Sequence, residues 1–391
     1  METPAVADVV AVLEEMYPAG SAHDWDSVGL VCGDPSAPVD TVHFAVDPTL
    51  EVAGEALRGN ADLLVTHHPL LLRAVHSIAA DGAKGKLLHR LIRGNVALFN
   101  AHTNADDARP GVSDALARTL GLTDLRPLRP APAQPLVHLS VTVPAAAVDQ
   151  VLDAATGAGA GTVGEYRRCA FTVAGHGTFE PSAAAEPTVG EPGVREVAEE
   201  VRLEFTAPTV SARSVIAAVR SAHPYEEPVV WAGELLGYQE PARSGGTGRV
   251  GRLAEPMSLE RFALLVAEAL PYSPQGVRVS GPAEEQVQTV AVCGGAGDSL
   301  FEDVRASEAD VYLTADLRHH PASEAREQAR GGKPFLVDVA HWSSEWPWLH
   351  GCASRLQTTL LERQLKVQVR VSEIRTDPWT FRVPSSGGIV R

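Results

Sequence analysis

Histidines and carboxylates stand together in three short segments of the sequence, and each segment follows an apolar run. The candidate ligands are His67 and His68 after ADLLVT, His102 and Asp106 after NVALFN, and His341 and Glu345 after FLVDVA. Imidazole and carboxylate are ligands that proteins offer to zinc, iron, manganese or cobalt. One such segment is an ordinary turn or helix start, but three of them together predict a metal site.

The spacing within these segments predicts more than one metal ion. Successive side chains of a strand diverge, so His67 and His68 are expected to reach two different ions just past the strand end. His341 and Glu345 are four residues apart and share one face at the start of a helix. The set exceeds the three protein ligands of a typical catalytic zinc. It suits two ions that share a carboxylate and a water, a centre typical of metal-assisted hydrolysis.

Further polar residues follow strand ends and are candidates to orient a ligand imidazole or to move a substrate proton. They are Asp24, Asp26, Asp47, Asp316, His319 and His320. From this set we select Asp316 and His320, and we add His102, as candidate catalytic groups, although a turn or cap role explains each equally well. The loop GGAGDSL, 294–300, offers backbone amides to an anion, but it lacks the GK[ST] ending of a P-loop.

The elements that must position these residues alternate between strand and helix in 1–133 and again in 244–391. This alternation predicts a layered, largely parallel α/β sheet, in which sites lie at the carboxyl ends of strands. Between the Pro-rich RPLRPAPAQP and the Gly-rich PARSGGTG, the segment 134–243 predicts a self-contained α+β unit. We therefore predict one discontinuous α/β domain, 1–133 and 244–391, interrupted by an inserted domain, 134–243.

Length and composition narrow the function classes. The 391 residues suffice for two domains, and 33 basic against 49 acidic residues give a net charge of −16. A broad basic surface for nucleic acid or for an anionic membrane is therefore not expected. A small substrate in a local pocket fits this charge. The four cysteines form no CxxC pair, and the acidic N-terminal segment does not resemble a signal peptide, so we expect a cytoplasmic protein without disulfides.

Five phrases carry a resemblance to a known family: WDSVGL, LLVTHHPLL, AHTNAD, ADVYLTAD and DVAHWSSE, in that order. They resemble the Nif-three-like dinuclear-metal-centre hexameric family, whose members are often labelled GTP cyclohydrolase 1 type 2 homologues. The phrases YRRCAFTVAGHGTFEP and HPYEEP resemble the inserted domain of that family, which is similar to CutA and PII proteins. The resemblance implies a ferredoxin-like α+β fold for the insertion.

The resemblance also implies a site and an assembly. Two divalent ions (Zn, Fe, Mn or Co) per subunit would be held by His67, His68, Asp106, His341 and Glu345. Glu345 would bridge them, and His102 would stand beside the metals. A ring-shaped homohexamer would face these sites towards an inner cavity. The chain departs from the family in TADLRHH, where a TGD-type phrase is usual, and at His23, where an acidic residue is common.

Three functions follow from these observations. The leading hypothesis is a metal-dependent hydrolase for a small substrate such as a purine nucleotide, because the cyclohydrolase label implies opening of a purine imidazole ring. The second is a regulatory or metallochaperone-like protein without catalysis, since relatives of the inserted domain act in signalling or assembly. The third is an oligomeric scaffold with structural metals, which is disfavoured because structural sites are usually closed and rich in cysteine.

Overall fold

The computed structural model describes residues 2–131, 134–164, 166–240 and 245–383. The chain divides into two compact units. Unit 1 comprises Met1–Ala131 with Ser244–Arg391, and unit 2 comprises Pro132–Arg243. Within the described ranges, none of the helices combines the length and the apolar character that crossing a bilayer requires.

The described strands and helices follow one another in the order that the alternating sequence pattern predicts. The strands are β1 (Gly29–Cys32), β2 (Thr41–Ala45), β3 (Leu63–Thr66), β4 (Ala97–Asn100), β5 (Thr123–Pro130), β6 (Gln134–Val143), β7 (Phe171–Phe179), β8 (Glu196–Pro208), β9 (Val230–Glu240), β10 (Gly246–Ser258), β11 (Arg278–Ser280), β12 (Gln286–Ala296), β13 (Val311–Ala315), β14 (Phe335–Val339) and β15 (Gln368–Val371). The helices are α1 (Val6–Met16), α2 (Leu50–Arg58), α3 (Ala83–Arg93), α4 (Thr103–Asp107), α5 (Val112–Thr119), α6 (Val148–Gly157), α7 (Ala212–Ala222), α8 (Leu259–Ala269), α9 (Phe301–Ala306), α10 (His319–Gln328) and α11 (His341–Glu362).

Unit 1 contains two mixed sheets. The first has the order β1-β4-β3-β2-β15, and the second has the order β11-β14-β13-β12-β10-β5. The central strands are parallel, and β1, β5, β10 and β11 pair antiparallel with their neighbours. The layered α/β class is thus confirmed, and the strands predicted from the alternation form two mixed sheets with parallel central pairs. Antiparallel strands at the edges of a parallel sheet are common, because such strands need cover on one face only.

Helix α11 connects the two sheets of unit 1. It contacts β2 and β15 of the first sheet and β12 and β13 of the second. Its buried residues Trp348, Leu349 and Leu356 belong to the same apolar core as Phe44 and Val65 of the first sheet. The N-terminal end of α11 is therefore held between the carboxyl ends of strands from both sheets.

A buried ion pair joins α5 to β10 in unit 1. Arg249 and Asp114 are both fully buried, with 2.6 Å between Arg249 Nη2 and Asp114 Oδ2. Arg249 also donates to the carbonyls of Ala108, Gly246 and Gly248. The same Asp114 carboxylate accepts from the amide of Gly111 at the start of α5. One guanidinium thus satisfies three carbonyls and a carboxylate where water has no access.

Unit 2 is a four-stranded antiparallel sheet of order β7-β8-β6-β9. Its chain order, β6-α6-β7-β8-α7-β9, is the predicted ferredoxin-like arrangement, which is confirmed. Along β8, Leu203 and Phe205 join the core with Val151 of α6 and Val215 of α7. Since side chains alternate along a strand, Glu200, Arg202 and Glu204 face away from the helices.

Candidate metal centre

The backbone holds His67 and His68 just beyond the end of β3. The amide of His67 donates to the carbonyl of Ala45 at 3.2 Å, and the amide of His68 donates to that of Val46 at 2.9 Å. Pairing with β2 therefore continues two residues past the strand itself. The hydroxyl of Thr66 closes this turn by donating to the carbonyl of His68. Both imidazoles are fixed by a parallel sheet rather than by a free loop.

The other two segments also lie at strand ends. His102 follows β4 and precedes the short helix α4, which carries Asp106. His341 is the first residue of α11 after β14, and Glu345 stands one turn later. The segments that follow β3 and β4 thus belong to the first sheet, and the segment that follows β14 belongs to the second sheet.

The Glu345 carboxylate lies among three imidazoles. Its Oε1 is 2.8 Å from His341 Nε2 and 3.5 Å from His67 Nε2, and its Oε2 is 3.1 Å from His68 Nε2. Asp106 Oδ1 lies 3.6 Å from His67 Nε2. The structure therefore brings together all five residues that the resemblance implies as metal ligands.

The buried polar atoms of this cluster fit a cation. His67 Nε2, Asp106 Oδ1 and Glu345 Oε2 are inaccessible to water and make no hydrogen bond with any described residue. An unpaired buried polar atom is costly, and a metal ion satisfies several at once. Nitrogen and carboxylate oxygen are the donor set of zinc, iron, manganese and cobalt sites.

The described residues include two overlapping groups of potential metal ligands. Within each group, the ligand atoms all lie within 4.8 Å of one another. One consists of His67, His68 and His102, and the other consists of His68, His341 and Glu345. His68 is common to both groups. His102, which the resemblance places beside the metals, is thus close enough to share an ion with His67 and His68.

In each imidazole of the cluster, Nδ1 contacts an oxygen that lies outside the cluster. The partners are the Ala101 carbonyl for His67 (2.9 Å), Asp47 for His68 (2.7 Å), Asp26 for His102 (2.9 Å) and Asp316 for His341 (2.7 Å). With Nδ1–H donating to an oxygen, every Nε2 points inward, and in the neutral imidazole it is an acceptor. This orientation by outer partners is typical of histidines that bind metals.

Burial and charge act against each other on the pKa values of the cluster. Burial alone would raise the pKa of Glu345, but the surrounding imidazoles together hold it well below its usual range. Burial opposes the charged forms of His68 and His341, yet Glu345 and the outer carboxylates raise their pKa to about 10 and about 11. Burial and the neighbouring His67 lower the pKa of His102 to about 4.

Burial raises the pKa of Asp106 to about 7, although His67 partly offsets it. Without an added cation, the cluster therefore balances its carboxylates with protons on the imidazoles. A divalent ion would take over that role and displace these protons.

Asp316 and His320, both candidate catalytic groups, occupy different surroundings. Asp316 adopts a left-handed φ of 55° and contacts His341 Nδ1, which makes it a group that orients a ligand. His320 lies in the first turn of α10, where its ring packs against that of His319. Within the described residues, no hydrogen bond or ring contact joins His320 to the cluster.

Gly295 is a residue of the site that the sequence did not reveal. It lies near the end of β12 with a φ of 69°, and a Cβ there would stand 2.6 Å from Glu345 Oε1 and 3.1 Å from His341 Nε2. The loop GGAGDSL therefore leaves room beside the ligand atoms. The amides of Gly294 and Gly295 bind the hydroxyls of Ser113 and Ser344, so these two are not free for an anion. The available signal was the glycine pair directly after an apolar strand.

Substitution of Gly295 by Ala is expected to weaken metal binding by about tenfold, because the added methyl group crowds Glu345 and His341. Calorimetric titration of the metal-free protein with Zn²⁺ or Mn²⁺ measures the change. Gly331 provides the control, since its φ is 79° and a Cβ there would meet nothing within 4 Å. The Gly331→Ala protein carries the same backbone strain without the crowding, so equal metal affinities of the two variants would contradict the prediction.

Known proteins match this sequence over nearly the whole chain. The family model described as Duf34/NIF3 (NGG1p interacting factor 3) matches residues 4–378. The chain belongs to this family. A Mycobacterium tuberculosis protein named GTP cyclohydrolase 1 type 2 homolog is 46% identical over 377 residues, which cover 96% of this chain and 97% of that protein. The Bacillus subtilis protein of the same name is 35% identical, with coverage of 95% and 97%.

Solved structures of this Duf34/NIF3 family agree with the fold. A Bacillus cereus protein related to NIF3 has a TM-score of 0.80 at 34% identity and covers 98% of this chain and 100% of that one. A Staphylococcus aureus protein has a TM-score of 0.72 at 26% identity, with the same coverage. The resemblance predicted from the sequence phrases is therefore confirmed.

Proposed function

We propose that this Duf34/NIF3 protein is a metal-dependent hydrolase that holds two divalent ions and acts on a small substrate with a purine-like ring. The observation that carries the proposal is the convergence of buried, unpaired donor atoms of His67, Asp106 and Glu345. The name GTP cyclohydrolase 1 type 2 homolog, borne by its relatives, supports the choice of substrate class.

The chain's own residues have distinct parts in this proposal. The ions would be held by His67, His68, Asp106, His341 and Glu345. When bound, a divalent ion of this kind lowers the pKa of a water molecule from 15.7 to about 7 and so supplies hydroxide at neutral pH.

His102 is placed to accept a proton. Its Nδ1 contacts Asp26 Oδ1, and Asp26 is itself fixed by the amide and hydroxyl of Thr103. These bonds leave Nε2 of His102 as an acceptor beside His67 and His68. A fixed acceptor within reach of the reacting atoms is the requirement for a general base.

Trp25 offers a surface for a planar ring. Its side chain is 59% exposed, and its indole meets the rings of His23 and His102 edge-on at 5.7 and 5.9 Å. The loop around it is anchored, because the His23 amide donates to Thr103 Oγ1 and Asn100 donates to the Ser27 carbonyl. An exposed indole on a fixed loop suits stacking of a nucleobase next to the metals.

Substitution of Trp25 by Leu is expected to weaken the binding of GTP to the metal-loaded protein by roughly tenfold, because base stacking contributes about 1–3 kcal/mol. Metal content is expected to stay unchanged. Trp379 is 64% exposed and has no described contact with the cluster, so Trp379→Leu is the matched control. Equal GTP affinities of the two variants would exclude stacking on Trp25.

The decisive test of the proposed function is an activity assay. Metal-free protein is loaded separately with Zn²⁺, Fe²⁺, Mn²⁺ or Co²⁺ and incubated with GTP, other nucleotides and phosphoesters. Turnover that requires the metal and disappears on chelation is the expected result. Absence of turnover on the entire panel with all four metals would overturn the proposal.

A regulatory or metallochaperone-like role without catalysis is the second candidate. The separate compact unit 2 favours it, because a purely hydrolytic site needs no second unit. Retention of the cellular role by a protein that binds metal but lacks turnover would select this candidate. A scaffold with structural metals is the third, and metal removal that dissociates the oligomer without any catalytic defect would select it.

The proposal includes the assembly and location expected from the resemblance. The protein would form a homohexamer in the cytoplasm, with its metal centres facing an inner cavity. Light scattering of the purified protein measures the assembly, and a mass other than that of six chains would contradict it.

A further inference from the structure

Unit 2 contains a cavity on the face of its sheet that the helices leave uncovered. Helices α6 and α7 pack on one face, and the cavity of about 680 Å³ lies against residues of the opposite face, such as Thr142, Gly177 and Glu200. Residues of the segment 180–189 and residues 225–228 of the phrase HPYEEP (223–228) supply further walls. Both segments carry the resemblance to the inserted domain or adjoin it, yet the proposed hydrolase uses neither.

Hydrogen bonds hold these two walls together. The hydroxyl of Thr188 donates to the carbonyl of Pro224 at 2.8 Å. The amide of Glu186 donates to Oε2 of Glu226 at 3.2 Å. The long loop is therefore tied to the HPYEEP phrase, and the space between them is a built cavity rather than a gap under a free loop.

The charge of the cavity is uniformly negative. Its described lining residues include Glu180, Glu200, Glu226 and Glu227, and none of them is Lys, Arg or His. Glu200 is only 8% exposed, although it carries a carboxylate. Burial of a carboxylate is costly without a cationic or hydrogen-bonding partner.

Neighbouring residues make room for this carboxylate, whose described hydrogen-bonding partner is the neutral hydroxyl of Tyr225. Gly177 lies under Glu200, and a Cβ at residue 177 would stand 2.3 Å from Glu200 Oε2. Arg202, which shares this sheet face, is engaged by Glu204 at 2.6 Å between Nε and Oε1. Among the described residues, the guanidinium of Arg202 is thus paired with Glu204.

Aromatic rings complete the walls. The rings of Phe179 and Tyr225 stand 6.2 Å apart, and Trp231 is 53% exposed at the cavity. The hydroxyl of Tyr225 donates to Glu200, and burial together with this contact raises the pKa of Tyr225 to about 12. Tyr225 thus remains neutral and presents its ring to the cavity.

We propose that this cavity binds a small organic cation, a molecule with an alkylammonium group. Carboxylates attract the charge, and the faces of aromatic rings stabilise ammonium groups by cation–π contact. A bare metal ion fits less well, because the groups of three converging ligand atoms among the described residues all lie in unit 1. The volume also exceeds what one ion requires. This site is separate from the metal centre and does not depend on its proposed reaction.

Calorimetric titration of the full chain with choline, spermidine and 3,3-dimethylbutan-1-ol tests the proposal. The last compound has the shape of choline without its charge. At least one of the two cations is expected to bind about tenfold or more tightly than the neutral compound. Failure of both cations to bind at concentrations up to about 10 mM, or equal binding of choline and its neutral counterpart, would overturn the proposal.

Variants then locate the site. Glu200→Gln and Trp231→Leu are each expected to weaken binding of the cation about tenfold. Glu199→Gln is the control, because it removes the same charge from the neighbouring position of β8, whose side chain lies on the other face. Thermal unfolding verifies that each variant is folded. If Trp231→Leu and a folded Glu200→Gln both retain the affinity of the original protein, the cation binds elsewhere and the proposal fails.

Discussion

Replacement of Glu345 by Gln is expected to abolish stable metal binding, with an affinity loss of at least about 100-fold. Both oxygens of this carboxylate face imidazole nitrogens, at 2.8 Å from His341 and 3.1 Å from His68. The amide of Gln presents a nitrogen donor in place of one oxygen, and it carries no charge to balance an ion. The substitution therefore removes a ligand from the group of His68, His341 and Glu345, which shares His68 with the other group.

Metal content after dialysis against Zn²⁺ or Mn²⁺, measured by mass spectrometry, tests this expectation without reference to any reaction. Glu362→Gln is the matched control, because Glu362 lies exposed at the opposite end of the same helix, α11. Retention of the full metal content by folded Glu345→Gln protein would show that the ions, if any, bind elsewhere. The activity of this variant, when a substrate is known, is expected to fall with its metal content.

Replacement of Asp114 by Asn is expected to lower the free energy of unfolding of unit 1 by about 3–5 kcal/mol. The change keeps the volume of the side chain but leaves Arg249 as a fully buried, uncompensated charge. An unpaired ion in the interior retains the cost of its desolvation without the attraction that offsets it. The carbonyls that Arg249 binds cannot replace the lost carboxylate charge.

Urea unfolding followed by circular dichroism measures this loss as a shift of the midpoint. Asp303→Asn is the control, since it breaks the partly exposed pair with Arg129, whose side chains are 25% and 46% exposed. Such pairs contribute about 0–1 kcal/mol. If the two substitutions lower the free energy of unfolding by similar amounts, the buried pair of Arg249 and Asp114 contributes no more than an exposed pair, and the prediction is wrong.

Local sequence patterns were sufficient to predict where the ligand residues lie when those residues are neighbours in the chain. His67 and His68 follow an apolar run, and His341 and Glu345 have helical spacing, so their positions at strand and helix ends could be predicted from local patterns. The α+β character of unit 2 was likewise predictable from its strands and helices, and the family resemblance implied its ferredoxin-like fold. These features depend on neighbours in the chain.

The other features of the fold and of the site depend on contacts between segments that are distant in the sequence. The antiparallel pairing of β10 with β5 joins residues on either side of unit 2, and no local pattern specifies it. The bond between Asp26 and His102 and the place of Gly295 beside Glu345 also arise from tertiary packing. Such contacts are set by the whole fold, so the sequence indicated only which residue types were available.

The position of α11 between the two sheets has a consequence for the order of biosynthesis. His67, His68 and His102 are translated before unit 2, whereas His341 and Glu345 follow it by about a hundred residues. A nascent chain on the ribosome therefore carries the early histidines and Asp106 without Glu345 while unit 2 is being synthesised. The complete ligand set exists only after the start of α11 has left the exit tunnel, so cells acquire the finished centre only after unit 2 has been synthesised.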